Sequence, residues 1–207
     1  MSLDFNGAPV QVVSDRTLRL DGSVLAIGAF DGVHRGHQTL ISTAVRDARD
    51  AGLPAVVWTF DPPPKVFFGG AERLSTLDDK LARIAQLGPD WIVVASFTRT
   101  YCARTAGAFM SDLARLTPQR IHVGADFRFG AKQSGDTALL ARWFEICIGT
   151  PVRCDAGEVV SSTRIRALRQ AGDTARAAVL QACPGVGALL AGRLQTCDMR
   201  LQEDPHV

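Results

Sequence analysis

Apolar runs of strand length alternate with segments of helical period along most of this chain, and that alternation limits its fold more than any other feature. Ser23–Gly28 (SVLAIG) reads as a buried strand, and Gln38–Ala51 as a helix ended by Gly52. Pro54–Phe60 is a second buried strand, halted by Pro62-Pro63-Pro64. A helix follows over Leu77–Leu87, capped by Ser75 or Thr76 and stopped by Gly88. Trp91–Ala95 is a third strand, Thr105–Leu116 a helix and Ile121–Gly124 a short fourth strand. Thr137–Ile148 is expected to be helical and Pro151–Cys154 to be a fifth strand, with helices over Ser161–Gln170 and Thr174–Gln181 closing the pattern. Strand–helix alternation at this spacing predicts an α/β fold: a parallel sheet with helices on both faces.

No internal repeat or low-complexity linker divides the chain, and its 207 residues suit one domain. Residues 1–183 are expected to form that domain and 184–207 a short C-terminal extension. A net charge of +2 says almost nothing about partners, but the arginines are scattered rather than striped, so nucleic acid is not expected as a partner. The five cysteines show no CxxC spacing, which favours reduced thiols over zinc or disulfide chemistry. The N-terminus has no basic-then-apolar signal pattern, and no apolar run nears the roughly 20 residues of a membrane helix. A cytoplasmic protein with no membrane partner is the expectation.

Two motifs carry chemistry. The first, Gly28-Ala29-Phe30-Asp31-Gly32-Val33-His34-Arg35-Gly36-His37, follows the first buried strand and opens a helix. Ligands of α/β sheets bind there, outside the carboxyl ends of the strands. Gly28, Gly32 and Gly36 let the backbone approach a phosphate, and the helix N-terminus offers free N–H groups. His34 and His37 can donate to phosphate oxygens as charge builds in a transition state. A solvated surface turn is the bland alternative. A metal-binding histidine pair is weaker still, because no Cys, Asp or Glu stands at ligand spacing on the same helix.

The second motif is Ser161-Ser162-Thr163-Arg164-Ile165-Arg166. Hydroxyls at a helix start cap its N–H groups, and an arginine behind them makes an anion site. Arg164 and Arg166 stand two residues apart, so they project differently and only one is expected to reach the site.

Together these residues resemble the FMN adenylyltransferase module of bacterial FAD synthetases, nucleotidyltransferases with a His-x-Gly-His signature. The resemblance runs from about Leu20 to Leu180. Leu74-Ser75-Thr76-Leu77-Asp78-Asp79-Lys80 looks like the family's L-T-T-x-x-x-K, and Val123–Gly130 is similar to its V-G-x-D-F-x-F-G. Gly135-Asp136 and Gly172-Asp173 fit the two following G-D pairs. The resemblance implies a Rossmann-like, doubly wound sheet of nucleotidyltransferase type, with ATP and Mg²⁺. It also implies attack of the FMN phosphate on the α-phosphorus of ATP, giving FAD and pyrophosphate. His34, His37 and Arg166 would then be catalytic. Gly28, Ala29, Phe30, Asp31, Gly36, Ser162 and Thr163 would bind the nucleotide, and Asp126, Phe129, Pro62, Pro64 and Lys65 the flavin or other acceptor. Asp31 reads equally as an indirect metal partner or as an ordinary turn Asp before Gly; no direct metal ligand is assigned.

Three positions depart from the family pattern. Pro63 stands where the family's F-x-P-H-P loop has His, and Lys65 is the nearest cation to replace it. Val159 stands where the family has Arg, and the closing L-G-R-P is reduced to Leu180-Gln181-Ala182-Cys183-Pro184. The family's riboflavin kinase domain is not expected within these residues. Transfer of AMP or CMP to a different phosphate acceptor, or a silent flavin- or nucleotide-binding protein, are the alternatives. Intact His34, His37 and Arg166 argue against silence, since a binding module needs no transition-state donors.

Overall fold

The computed structural model describes residues 2–5 and 8–182. Strands β1 (Ser2–Phe5), β2 (Ala8–Ser14), β3 (Ser23–Ile27), β4 (Ala55–Asp61), β5 (Trp91–Ser96), β6 (Pro118–Gly124) and β7 (Ile146–Gly149) form one sheet. Their order is β1-β2-β5-β4-β3-β6-β7. β1 pairs antiparallel with β2, and every other neighbouring pair is parallel. The helices are α1 (Arg35–Asp50), α2 (Pro64–Phe67), α3 (Leu77–Ala85), α4 (Arg99–Cys102), α5 (Ala106–Ala114), α6 (Thr137–Ala141), α7 (Ser162–Gln170) and α8 (Thr174–Gln181). The chain runs outward from β3 through β4 to β5, then returns to place β6 on the other side of β3. That reversal opens a crevice at the carboxyl ends of β3 and β6, where doubly wound sheets bind ligands.

The central strand shows why both faces must be covered. All five residues of β3 are buried. Leu25 and Ile27 pack into one core with Trp58, Val123, Phe109, Leu113 and Leu140, on the face covered by α5 and α6. Val24 and Ala26 point the other way, against Ile41, Ala44 and Ala48 of α1 and Leu81 and Ile84 of α3. Each large aliphatic buried this way contributes roughly 1.5–3 kcal/mol. A third, smaller cluster of Leu74, Val160, Ile165, Ala177 and Leu180 docks the α7–α8 hairpin. α1 ends in a Schellman arrangement, with the Gly52 N–H donating to the Arg49 carbonyl and the Leu53 N–H to that of Ala48.

Two expectations need correction. Thr137–Ile148 is not one helix: α6 stops at Ala141, and Ile146–Gly149 is the parallel partner of β6. Pro151–Cys154 is not a strand; only Arg153 makes an isolated bridge, to Val159. The reason is tertiary. The Ile121 N–H donates to the Glu145 carbonyl, and Arg120 pairs with the Glu145 carboxylate, so the edge position is filled one turn before Pro151. Short β-branched runs such as Ile146-Cys147-Ile148 take whichever state their neighbours offer. The sequence pattern also leaves out β1, β2, α2 and α4. The expected boundary at 183/184 and the extension 184–207 lie outside the described residues.

Candidate active site

The loop between β3 and α1 is tightly held. Phe30, Gly32 and Val33 have φ of 47°, 76° and 39°, a region that disfavours L-residues by about 1–2 kcal/mol each. A β-branched residue there is a true outlier, tolerated only where surroundings over-determine it. Here they do. Phe30 and Val33 are fully buried, and side chains from four other segments take the loop's polar groups. The Thr59 hydroxyl donates to the Ala29 carbonyl (3.1 Å), and that of Ser162 to the Asp31 carbonyl (3.2 Å). Gly32 donates its N–H to Ser75 Oγ (3.1 Å) and accepts from Gln181 Nε2 (3.0 Å) at its carbonyl. A Cβ on Gly32 would lie 2.6 Å from Gln181 Nε2 and 3.0 Å from Leu74 Cβ, so no other residue fits.

His34 is the N-cap of α1. Its Nδ1 accepts from the His37 backbone N–H at 3.4 Å, which makes Nε2 the protonated nitrogen of the neutral ring. The two imidazoles stack, with centroids 3.6 Å apart and planes 20° from parallel, and Phe30 meets His37 edge-on at 5.2 Å. Burial lowers the His34 pKa to about 4. Burial also holds His37 well below the usual imidazole range, helped by charge on His34 and Lys80. The pair is therefore two neutral hydrogen-bond donors near neutral pH, with Gly36 in the same first turn of α1.

The two arginines of the second motif part as expected. Arg164 turns away to Glu158 and to the Cys154 thiol, whose pKa it lowers. Arg166 reaches the first loop: Nη2 lies 2.5 Å from Asp31 Oδ2, and Nε donates to the Glu72 carbonyl at 2.7 Å. The Asp31 carboxylate also accepts the Leu74 N–H, at 3.1 and 3.2 Å from its two oxygens. Ser161, not Ser162, caps α7 by accepting from the Arg164 N–H. Ser162 is spent on the loop, and Thr163 is exposed on the first turn of α7.

On the other side of the crevice, Asp61 leads through a cis peptide bond into Pro62. Pro63 is buried as the cap residue of α2, Pro64 opens that helix, and Lys65 is exposed on it. The cations grouped around Asp61 are different ones. Arg73 pairs with Asp61 at 3.0 Å, while buried Lys80 donates to the Phe60 carbonyl at 2.7 Å and lies 4.0 Å from Asp61. Burial lowers the Lys80 pKa to about 8, against the opposing pull of Asp61 and Asp31. Beyond β6, Asp126 is exposed, but Phe129 is buried against Phe127 and Phe109. It exchanges two backbone hydrogen bonds with Gly135, where a Cβ would lie 2.5 Å from the Phe129 ring.

The structure thus joins His34, His37, Asp31, Ser162 and Arg166 in one constellation, and leaves Thr163, Lys65 and Asp126 on exposed surface. Lys80, which closes the Leu74–Lys80 stretch, and Gln181 are not among the site residues expected from the sequence. Lys80 carried a signal: it sits on the apolar stripe of α3 beside Leu81 and Ile84. Gln181 had none. Among the described residues no three His, Cys, Asp or Glu side chains cluster as a metal site, and the Asp31 carboxylate is already engaged. A Mg²⁺ ion would accordingly be held chiefly by phosphate oxygens and water, as this cation prefers.

Residues 17–164 match the FAD synthetase family. A putative bifunctional riboflavin kinase/FMN adenylyltransferase of Geobacillus thermodenitrificans (strain NG80-2) is 46% identical over 171 residues, covering 83% of this chain and 96% of that protein. The bifunctional riboflavin kinase/FMN adenylyltransferase of Escherichia coli (strain K12) is 39% identical over 156 residues, covering 70% of this chain and 50% of that protein. The chain thus spans nearly all of the first relative and half of the second. Among solved structures, one described as a macrolide-efflux protein from Streptococcus pneumoniae superposes with a TM-score of 0.73 at 26% identity, covering 86% of this chain and 63% of that one. Among the described residues no helix is long and apolar enough to cross a membrane.

Proposed function

Since the chain belongs to the FAD synthetase family, we propose that its crevice transfers AMP from ATP to FMN, giving FAD and pyrophosphate. The observation that carries this reading is the stacked His34–His37 pair, kept neutral at the N-terminus of α1 outside the carboxyl end of β3. An oxygen of the FMN phosphate forms the new bond to the α-phosphorus. The bond from that phosphorus to the bridging oxygen breaks, and pyrophosphate leaves with the electron pair. Nothing in this displacement requires a covalent enzyme intermediate, so the protein's task is positioning and charge stabilisation.

In our reading the Nε2–H groups of the histidines donate to the oxygens that gain charge, and the α1 N-terminus adds its dipole. Gly28, Ala29, Phe30, Asp31 and Gly36 shape the nucleotide cradle. Arg166, Ser162 and Thr163 face the triphosphate from α7. Pro62, Pro64 and Lys65, with Asp126 and Phe129 across the crevice, form the acceptor side. Mg²⁺ supplies charge neutralisation when it arrives with ATP. Reduced Cys102 and Cys154 suit a cytoplasmic setting.

The test uses purified protein with ATP, Mg²⁺ and FMN, following FAD by chromatography and pyrophosphate by a coupled assay. Equal amounts of both products are expected. Pyrophosphate release with another phosphate acceptor or with CTP, but no FAD from FMN, would overturn the assignment of the acceptor.

A further inference from the structure

The residues that hold the catalytic loop do not end with the family signature. The matched family segment closes at residue 164, yet beyond it Arg166 and Gln181 reach the loop between β3 and α1, and Arg169 holds Gln181 from behind. Arg166 reaches Asp31. Arg169 donates through Nη1 to the Leu74 carbonyl (3.1 Å) and through Nη2 to Gln181 Oε1 (2.9 Å). Gln181, the last residue of α8, donates through Nε2 to the Gly32 carbonyl at 3.0 Å.

Gln181 is buried, and its main-chain carbonyl accepts from Arg83 Nη1 of α3 at 3.1 Å. One residue therefore links α7, α8 and α3 to the position two before His34. The next carbonyl along the chain, Ala182, accepts from Gln38 Nε2 (3.2 Å), whose amide also serves the Val33 carbonyl (2.7 Å). Gly32 and Val33 are both held at positive φ, so the loop depends on bonds from outside itself. A buried amide that satisfies a carbonyl on one side and an arginine on the other has only one productive orientation.

We infer that Gln181 is a positioning residue for the transfer reaction, fixing the Gly32 carbonyl so that His34 and His37 keep their stacked geometry. This rests on the reading of that loop as catalytic. The pattern that would flag such a residue is missing from the sequence, because a Gln at the end of a helix is ordinary surface chemistry.

Gln181→Glu is the discriminating variant. Its carboxylate still accepts from Arg169, so α8 stays docked, but it turns an acceptor toward the Gly32 carbonyl. Gln181→Met removes both bonds at similar volume. In Gln181→Glu we expect kcat to fall at least about tenfold with KM for ATP nearly unchanged, since a displacement near 1 Å can cost roughly 10²-fold. The thermal midpoint should stay close to the parent's. Ring ¹⁵N signals of His34 and His37, assigned with single His variants, should move in both Gln181 variants while those of buried His122 stay put. A kcat within about twofold of the parent, with unmoved His34 and His37 signals in folded Gln181→Glu and Gln181→Met, would overturn the inference. Activity in the parent that is lost in His37→Ala supports the function whatever Gln181 does. An inactive parent would remove the proposed function, and the ring signals alone would then decide whether Gln181 holds the loop.

Discussion

Replacing Arg166 by Met would leave the Asp31 carboxylate buried without its guanidinium. The two side chains are 11% and 4% exposed, so little water can take over. Breaking a buried pair by removing one partner typically costs 3–5 kcal/mol, and the bond to the Glu72 carbonyl adds roughly 1 kcal/mol. Asp31 keeps the Leu74 N–H, which favours the lower end. We therefore expect a loss of about 3 kcal/mol, a large share of the roughly 5–15 kcal/mol that holds a domain folded. Asp31→Asn removes the stranded charge, so Asp31→Asn/Arg166→Met should be more stable than the sum of the single changes by at least about 1 kcal/mol. Urea unfolding of the four proteins at neutral pH measures both quantities. A single-variant loss under about 1 kcal/mol, with the double variant merely additive, would refute the argument that burial makes this pair interdependent. The same variant loses a charge-assisted contact and should bind a non-hydrolysable ATP analogue more weakly by roughly 1.5–3 kcal/mol in calorimetry.

Alanine at His34 or His37 should lower kcat by about 10²–10³ while changing ATP affinity little, and near-normal turnover in both would make the pair structural. Acid should destabilise the protein through His34. Between pH 6.5 and about 4 the unfolded chain takes up a proton there that the fold refuses, so stability rises with pH across that window and is lost on acidification. The full effect is about 3 kcal/mol, and urea melts at pH 7 and pH 4.5 should show most of it in the parent but not in His34→Gln. Lys80→Met keeps the buried stem but drops the bond to the Phe60 carbonyl; KM for FMN should rise while ATP affinity holds, and equal effects on both would place Lys80 elsewhere in the mechanism. Gly135→Ala forces a methyl against the Phe129 ring and should cost about 1–3 kcal/mol in thermal or urea unfolding; no loss would mean the segment around Gly135 yields freely.

The sequence was most legible where local rules and burial agree. Val24 and Ala26 against Leu25 and Ile27 alternate between two cores, and a short apolar run buried on both faces is recognisable as a parallel strand from its composition alone. The caps at Thr76 and Ser161 and the Schellman end at Gly52 are equally local. Edge elements were not legible. The residues of β7 look like the end of a helix in sequence, because their state depends on pairing with β6 rather than on the four residues themselves.

The site divides along the same line. By itself the sequence determined that two histidines stand between a buried strand and a helix, with an arginine-bearing helix start farther along, because strand, turn and helix signals are properties of neighbouring residues. Only the tertiary structure shows that Arg166 rather than Arg164 pairs with Asp31, that burial keeps His34 and His37 neutral, that Lys80 lies beside Asp61, and that Gln181 donates to the Gly32 carbonyl. Gly32 and Gln181 are separated by 149 residues of chain. A hydrogen bond between two such groups leaves no local trace, because its partners come together only when the sheet places the end of α8 against the loop that follows β3.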